Sequence, residues 1–219
     1  MVLQENWTWV LIGDSLTAAG RAESGDPTPW RAQEGWGHGY VNLTGAHIEA
    51  ICPERNIRLI NRGVAGNTIR DLKARWEADV IALQPDCLSV CIGVNDVWRQ
   101  CDTPLQTERQ VLPEEFEAIY RQLLARTRPQ IKCLILIKPF VFDNNRQDRM
   151  RRLMDEYGGM VEKLAGEFDA QLVDPQPAID RYLQHRHSSC IAWDRVHPNT
   201  AGYLLVAREL MKTIGLEMG

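Results

Sequence analysis

Residues 131–137 read Ile131-Lys132-Cys133-Leu134-Ile135-Leu136-Ile137. A strand with one face in water alternates apolar and polar side chains, whereas a strand covered on both faces is apolar almost throughout. This run is of the second kind. Upstream, Leu112–Arg126 has helical spacing, with Pro113 near the first helical position and Glu114 and Glu115 at the positive end of the dipole. Downstream, Arg149–Phe168 is mostly helical in pattern despite Gly158 and Gly159. The same alternation extends in both directions. Trp7–Ile12, Ile57–Ile60, Leu88–Ile92 and Gln171–Val173 read as strands. Tyr40–Ile51 reads as a helix that stops before Pro53. Thr68–Leu83 reads as another, with Thr68 as N-cap, Asp71 in the first turn and Pro85 as its stop. Pro175–Gln184 and Thr200–Ile214 complete the helices. Strand–helix repetition predicts an α/β protein, an open five-stranded parallel sheet with helices on both faces. The 219 residues carry no linker, repeat or low-complexity segment, so one domain over residues 1–219 is expected. A chain of this size can form a core without disulfide or metal staples.

Composition narrows the class. Hydrophobic residues are 44% and charged residues 25%, which excludes a disordered chain, a collagen or a coiled coil. There are 25 basic and 29 acidic residues, a net charge of -4, with no run of five or six like charges. No nucleic-acid partner is expected from such a surface. No apolar stretch is long enough to span a bilayer, so no membrane partner is expected. Met1–Ile12 has neither a basic leader nor a small-residue cleavage site, and Asp14 follows at once, so it does not read as a secretory signal. The cysteines at 52, 87, 91, 101, 133 and 190 lie partly in apolar runs. They read as buried free thiols in a reducing compartment, and the cytoplasm is expected.

In open parallel sheets, ligands bind beyond the carboxyl ends of the strands. Three of those ends carry chemistry. The first runs Leu11-Ile12-Gly13-Asp14-Ser15-Leu16-Thr17. A serine opening a turn toward a helix is placed to act as a nucleophile, with its own N–H ready to receive an anion. Taken alone it reads better as a helix cap. The second end runs Asn61-Arg62-Gly63-Val64-Ala65-Gly66-Asn67-Thr68, with glycines that permit close approach to a ligand or positive φ. Taken alone it is an ordinary turn, and no Gly-Lys-Ser/Thr follows to make a phosphate cradle. The third end, Gly93-Val94-Asn95-Asp96, offers a side-chain amide, a neutral oxyanion donor, or simply an Asx turn. Near the C-terminus, Trp193-Asp194-Arg195-Val196-His197-Pro198-Asn199 places a carboxylate and an imidazole in one loop. The carboxylate can hold the imidazole tautomer while the other nitrogen faces a hydroxyl. The bland alternative is a surface histidine beside a helix capped by Asn199 or Thr200. Together these pieces supply a nucleophile, a base, an orienting carboxylate and oxyanion donors, the parts for acyl transfer through a serine acyl-enzyme.

Gly13-Asp14-Ser15-Leu16, Gly63, Gly93-Val94-Asn95-Asp96 and Asp194-Arg195-Val196-His197 resemble, in order, the four sequence blocks of the SGNH-hydrolase (GDSL) superfamily. The resemblance implies a flavodoxin-like three-layer α/β/α sandwich. It implies Ser15 as nucleophile, His197 as general base and Asp194 as its partner. It also implies an oxyanion hole of Ser15 N–H, Gly63 N–H and the Asn95 side chain. The α/β-hydrolase nucleophile elbow does not match, because Gly13-x-Ser15-x-Thr17 lacks the second glycine. A narrower resemblance rests on the same blocks extended to Asn67-Thr68-Ile69-Arg70-Asp71-Leu72-Lys73-Ala74-Arg75-Trp76, Asn95-Asp96-Val97-Trp98-Arg99 and Ala192-Trp193-Asp194-Arg195-Val196-His197-Pro198. These look like bacterial acetylxylan esterases of the superfamily, which act in the cytoplasm on imported oligosaccharides. The implied substrate is a small carbohydrate ester, an acetylated xylo-oligosaccharide, with short-chain acyl esters, thioesters, lysophospholipids and acyl transfer to another alcohol as the alternatives within the superfamily. Leu16 and Thr17–Arg21 are the one departure from that resemblance, and these positions can line the acyl pocket.

No cofactor or metal is expected. There is no His-Glu-x-x-His, and Cys87 and Cys91 face one way in a buried strand, where packing is the better reading than zinc. His185 and His187 read as solvated surface residues. Trp36, Trp98 and Trp193 lie beside the motif loops, either as sugar platforms or as loop anchors. Arg62 and Arg99 can contact a hydroxyl-rich substrate, but pairing with Asp96 or a glutamate is the favoured reading. The substrate-binding candidates are therefore Trp98, Trp193 and Arg62. The Trp- and Arg-rich surface is compatible with a homo-oligomer. A flavodoxin-like signalling module would want an acidic cluster at the first strand end and a late lysine. Asp14 has no neighbouring acid, and Lys138 is the only late lysine candidate.

Overall fold

Strand β1 (Thr8–Gly13) is buried from Trp9 onward, as an apolar run covered on both faces must be. It pairs in parallel with β2 (Arg58–Gly63) on one side and β3 (Cys87–Cys91) on the other. β4 (Cys133–Ile137) and β5 (Gln171–Val173) continue the sheet in the order β2-β1-β3-β4-β5, all parallel. The structure, a computed structural model, describes residues 3–22 and 32–216.

The helices are α1 (Ser15–Ala18), α2 (Ala32–Trp36) and α3 (Tyr40–Ile51) between β1 and β2, then α4 (Ile69–Asp79) before β3. After β3 come α5 (Val94–Asp102) and α6 (Pro113–Thr127); α7 (Arg149–Glu167) joins β4 to β5, and α8 (Gln176–Leu183) and α9 (Thr200–Thr213) end the fold. The step from β1 to β2 runs one way along the sheet, and every later step runs the other way. Right-handed crossovers therefore put the two sets of helices on opposite faces. On one face α3 packs against α9; on the other α4 packs against α6, and α6 against α7. The five-stranded parallel α/β sandwich expected from the alternation is what forms.

Local sequence explains most boundaries. Thr68 and Asp71 close a capping box at the start of α4. Asp148 caps α7 by accepting from Arg151 N–H at 3.1 Å. Asn199, rather than Thr200, caps α9 by accepting from the amides of Ala201 and Gly202. Two boundaries differ clearly from expectation. The helix read as Thr68–Leu83 ends at Asp79, and Ile81–Leu83 form a separate 3₁₀ turn. Pro85 disfavours helical backbone at Gln84, which adopts φ +47°. β2 runs through Asn61 and Arg62 to Gly63 instead of stopping at Ile60. The buried Asn61 amide makes this possible by donating to Thr17 O at 2.7 Å and Trp36 O at 3.0 Å. Helix α5 was not anticipated; it begins directly after Gly93, whose φ of +125° turns the chain off β3.

All six cysteines are free; Cys52, Cys87, Cys91 and Cys133 are buried, but Cys101 is half-buried and Cys190 exposed. The expectation of buried thiols thus fails at Cys190, which lies in an exposed 3₁₀ turn outside the core. Among the described residues, no helix is long and apolar enough to cross a membrane.

Candidate active site

The sheet register aligns the three strand ends. Gly13 stands opposite Gly63 on one side and Cys91 on the other. The loops after β1, β2 and β3 therefore leave the sheet at one level, beside the point where strand order reverses. Ser15 is the first residue of α1, whose N-cap Asp14 accepts from Leu16 N–H at 2.9 Å. At that position the helix provides no acceptor for the Ser15 N–H. Gly63 lies against the same turn. A Cβ there would fall 2.1 Å from Ala18 N, so only glycine lets the β2 end press against α1.

Asn95, in the first turn of α5, is buried. One N–H of its Nδ2 donates to Asn67 O at 3.0 Å, and its Oδ1 accepts from Arg99 Nη2 at 3.2 Å. These contacts fix the amide so that a second Nδ2 hydrogen remains for another acceptor. Gly63 N–H donates to Asn61 Oδ1 at 2.8 Å.

Ser15 and His197, 182 residues apart in the chain, meet with Oγ and Nε2 at 2.8 Å. His197 Nδ1 lies 2.6 Å from Asp194 Oδ2. Asp194 Oδ1 accepts from the amides of Val196 at 3.0 Å and His197 at 2.8 Å. Burial pushes the Asp194 carboxyl up, but the His197 ring and these two amides outweigh it and hold it below the usual carboxylate range. An ionised Asp194 assigns the proton to Nδ1, leaving Nε2 to accept from the Ser15 hydroxyl. The half-buried Trp98 packs against the imidazole, with ring centroids 5.7 Å apart at 56°.

The loop carrying Asp194 and His197 has an anchor that the sequence did not disclose. Arg195 sits at φ +68°, and its Nη2 reaches Asp143 at 2.8 Å and Asp148 at 2.6 Å. Its carbonyl accepts from Phe142 N–H at 2.8 Å. Nothing in an Asp-Arg-Val-His string announces left-handed backbone; the only hint is the pair of acids ahead of α7.

The remaining candidates scatter. Trp193 is 82% exposed beside Asp194, so its indole presents a free face. Trp36 is buried, and its indole N–H donates to Leu59 O at 3.0 Å, which makes it a core anchor. Arg62 faces Asp79 at 3.8 Å, and Arg99 pairs with Asp102 while lying 5.1 Å over the Trp98 ring. Neither arginine pairs with Asp96 as expected, because Asp96 is buried and its Oδ1 accepts from Ile69 N–H at 3.0 Å. Burial raises the Asp96 and Asp14 carboxyls to about 7 each. His187 Nδ1 accepts from Ser189 N–H at 3.2 Å, a local cap. Among the described residues, no cluster of three or more His, Cys, Asp or Glu is arranged to hold a metal.

A carboxylate, an imidazole and a hydroxyl in series, with a helix N-terminus at the hydroxyl, define the class of serine acyl hydrolases. The chain belongs to the GDSL-like lipase/acylhydrolase family, whose model matches residues 11–205. It is therefore a carboxylic-ester hydrolase of the SGNH type. It is 45% identical over 208 residues to an acetylxylan esterase from Geobacillus stearothermophilus, covering 95% of this chain and 94% of that protein. A crystal structure of an acetylxylan esterase from that organism superposes with a TM-score of 0.95 at 44% identity, over 99% of this chain and 98% of the other. An α/β hydrolase from the metagenome of Lake Arreo, Spain, matches with a TM-score of 0.96 at 46% identity over 100% of both chains. Solved structures of the Geobacillus enzyme include catalytic mutants in which a serine, an aspartate or a histidine is replaced by alanine.

Proposed function

We propose that this protein removes acetyl groups from carbohydrate esters, acetylated xylo-oligosaccharides first among them, through an acyl-enzyme on Ser15. The observation that carries the reading is the unbroken relay from Ser15 Oγ to His197 Nε2 at 2.8 Å and from Nδ1 to Asp194 at 2.6 Å. His197 Nε2 takes the Ser15 proton as Oγ attacks the acetyl carbonyl carbon. The carbonyl electrons move onto oxygen, where Ser15 N–H and the second Nδ2 hydrogen of Asn95 receive the charge. Gly63 N–H joins them by sharing its hydrogen between Asn61 Oδ1 and the oxyanion. Collapse breaks the bond to the sugar oxygen, which takes the proton from His197. Water then attacks the acetyl-enzyme with His197 as base, releasing acetate and restoring the Ser15 hydroxyl. Asp194 stays ionised throughout and steadies the imidazolium.

The substrate class is supported by the acetylxylan esterases that this chain resembles at 45% and 44% identity. The exposed indole of Trp193, next to Asp194, supplies a face on which a sugar ring can stack. Action in the cytoplasm is supported by six free cysteines, four of them buried. The test is mass spectrometry of acetylated xylo-oligosaccharides incubated with the protein. Stepwise loss of acetyl groups is expected. Intact oligosaccharides, with rapid cleavage of long-chain acyl esters instead, would overturn the reading.

A further inference from the structure

Arg75, on α4, takes no part in the relay, yet its guanidinium bonds directly to two loops of the proposed oxyanion hole and to the third through Asn67. Nη2 donates to Gly13 O at 2.9 Å, the carbonyl that ends β1 just ahead of Asp14 and Ser15. Nη1 donates to Arg62 O at 2.8 Å, the carbonyl of the peptide unit whose N–H belongs to Gly63. Nε donates to Asn67 Oδ1 at 2.7 Å, and Asn67 O in turn holds Asn95 Nδ2 at 3.0 Å. Asp79, one helical turn along α4, accepts from Nη1 at 2.6 Å and fixes the guanidinium from behind. The Arg75 side chain is 18% exposed, so these bonds are largely shielded from water.

We propose that Arg75 is the positioning residue of the oxyanion hole: a single planar group that sets the loops bearing Ser15, Gly63 and Asn95 at fixed mutual distances. The planar fork is what the task needs, because three differently directed donors lie in one plane, whereas a lysine ammonium is a single point donor. The contact with Arg62 O also acts electronically. A hydrogen bond to a peptide oxygen draws charge toward that oxygen and makes the N–H of the same unit a stronger donor. That N–H is Gly63's. The proposal rests on the oxyanion roles given above.

The experiment measures kcat and KM on p-nitrophenyl acetate for wild type, Arg75→Lys, Asn95→Ala and the double variant, with thermal unfolding of each. Arg75→Lys keeps the charge opposite Asp79. It is expected to unfold cooperatively and to lose about 10- to 100-fold in kcat at unchanged KM, part of the roughly 100- to 1,000-fold that one oxyanion donor supplies. In the Asn95→Ala background the same substitution should cost clearly less, because one of the groups it positions is gone. Full kcat in a folded Arg75→Lys, or losses that simply multiply in the double variant, would overturn the proposal. If Arg75→Lys does not fold, Asn67→Ala removes only the arm toward Asn95. An about tenfold or smaller but measurable fall in kcat supports the proposal, and an unchanged kcat overturns it. Full activity in Asn95→Ala would sink the oxyanion reading and this inference with it. An impaired Asn95→Ala beside an unimpaired Arg75→Lys sinks the inference alone.

Discussion

Arg195, at φ +68°, closes onto Asp148, the N-cap of α7, at 2.6 Å. A non-glycine residue in left-handed backbone is costly and persists only where its surroundings hold it. Here the surroundings are two carboxylates and the Phe142 amide, and the residue they hold lies between Asp194 and His197. The loop bearing Asp194 and His197 is thus fastened to the β4–α7 connection.

Arg195→Ala keeps the strained φ and removes the clamp, so the imidazole should drift from Ser15. Misplacement of a reacting group by about 1 Å costs roughly 100-fold. The expected result is a fall of about 10- to 100-fold in kcat with little change in KM on an aryl acetate. Steady-state kinetics of Arg195→Ala and Asp148→Asn check it; wild-type kcat in both would show that the loop holds its shape unaided.

Asn61 is a stability residue. Its amide satisfies Thr17 O, Trp36 O and Gly63 N–H, all buried. Asn61→Ala leaves these groups without their partner, at about 1–3 kcal/mol for each that stays dry. Urea unfolding should show a loss of about 2–4 kcal/mol after partial relaxation. A loss below about 0.5 kcal/mol, the range of neutral surface changes, would contradict the proposed tie.

The buried pair Asp14 and Asp96 makes stability depend on pH in an unusual direction. Burial raises both carboxyls from 3.8 to about 7 in the folded protein. Between those values the folded chain binds more protons than the unfolded chain. Stability from this source is therefore full below the unfolded value, falls as pH rises toward 7, and is flat beyond. Asp96→Asn keeps an acceptor for Ile69 N–H but cannot ionise. Wild type should lose more stability than Asp96→Asn between pH 5 and pH 7.5, read by urea unfolding, as expected for a group titrating near 7. Identical slopes would place the ionisation elsewhere.

Trp193 separates sugar binding from chemistry. With 82% of its surface exposed, its removal should cost little stability. Trp193→Ala is expected to raise KM for acetylated xylo-oligosaccharides by about 2- to 10-fold, the worth of one stacked ring, and to leave p-nitrophenyl acetate unaffected. Equal effects on both substrates would assign the indole to the loop instead.

What was legible in the sequence follows from the range of the forces involved. The apolar run through Ile135 and the alternation around it state the layer order, because covering both faces of a strand demands apolar residues throughout. Capping at Thr68, Asp148 and Asn199 is local chemistry; the first could be read directly, and the last was one of two neighbouring candidates. The relay residues stood out because Ser15, Asp194 and His197 fall in dense motif blocks. Contacts that join distant loops were not legible. Asn61 resembled the end of a strand because its buried carbonyl partners lie 25 and 44 residues away. Arg75 lay within the Asn67–Trp76 block, but nothing local marked its bonds to Gly13 and Arg62, and Arg195 carried no mark of its left-handed backbone. Helix α5 was hidden because the Asn95 block drew attention as a loop.

The central claim is that Ser15 forms the acyl-enzyme. Its most direct test is the turnover of p-nitrophenyl acetate by Ser15→Ala, with the fold verified by circular dichroism. The expected loss is at least about 10,000-fold in kcat, the scale seen when a serine nucleophile is removed. Turnover near that of wild type in a folded variant would contradict the claim.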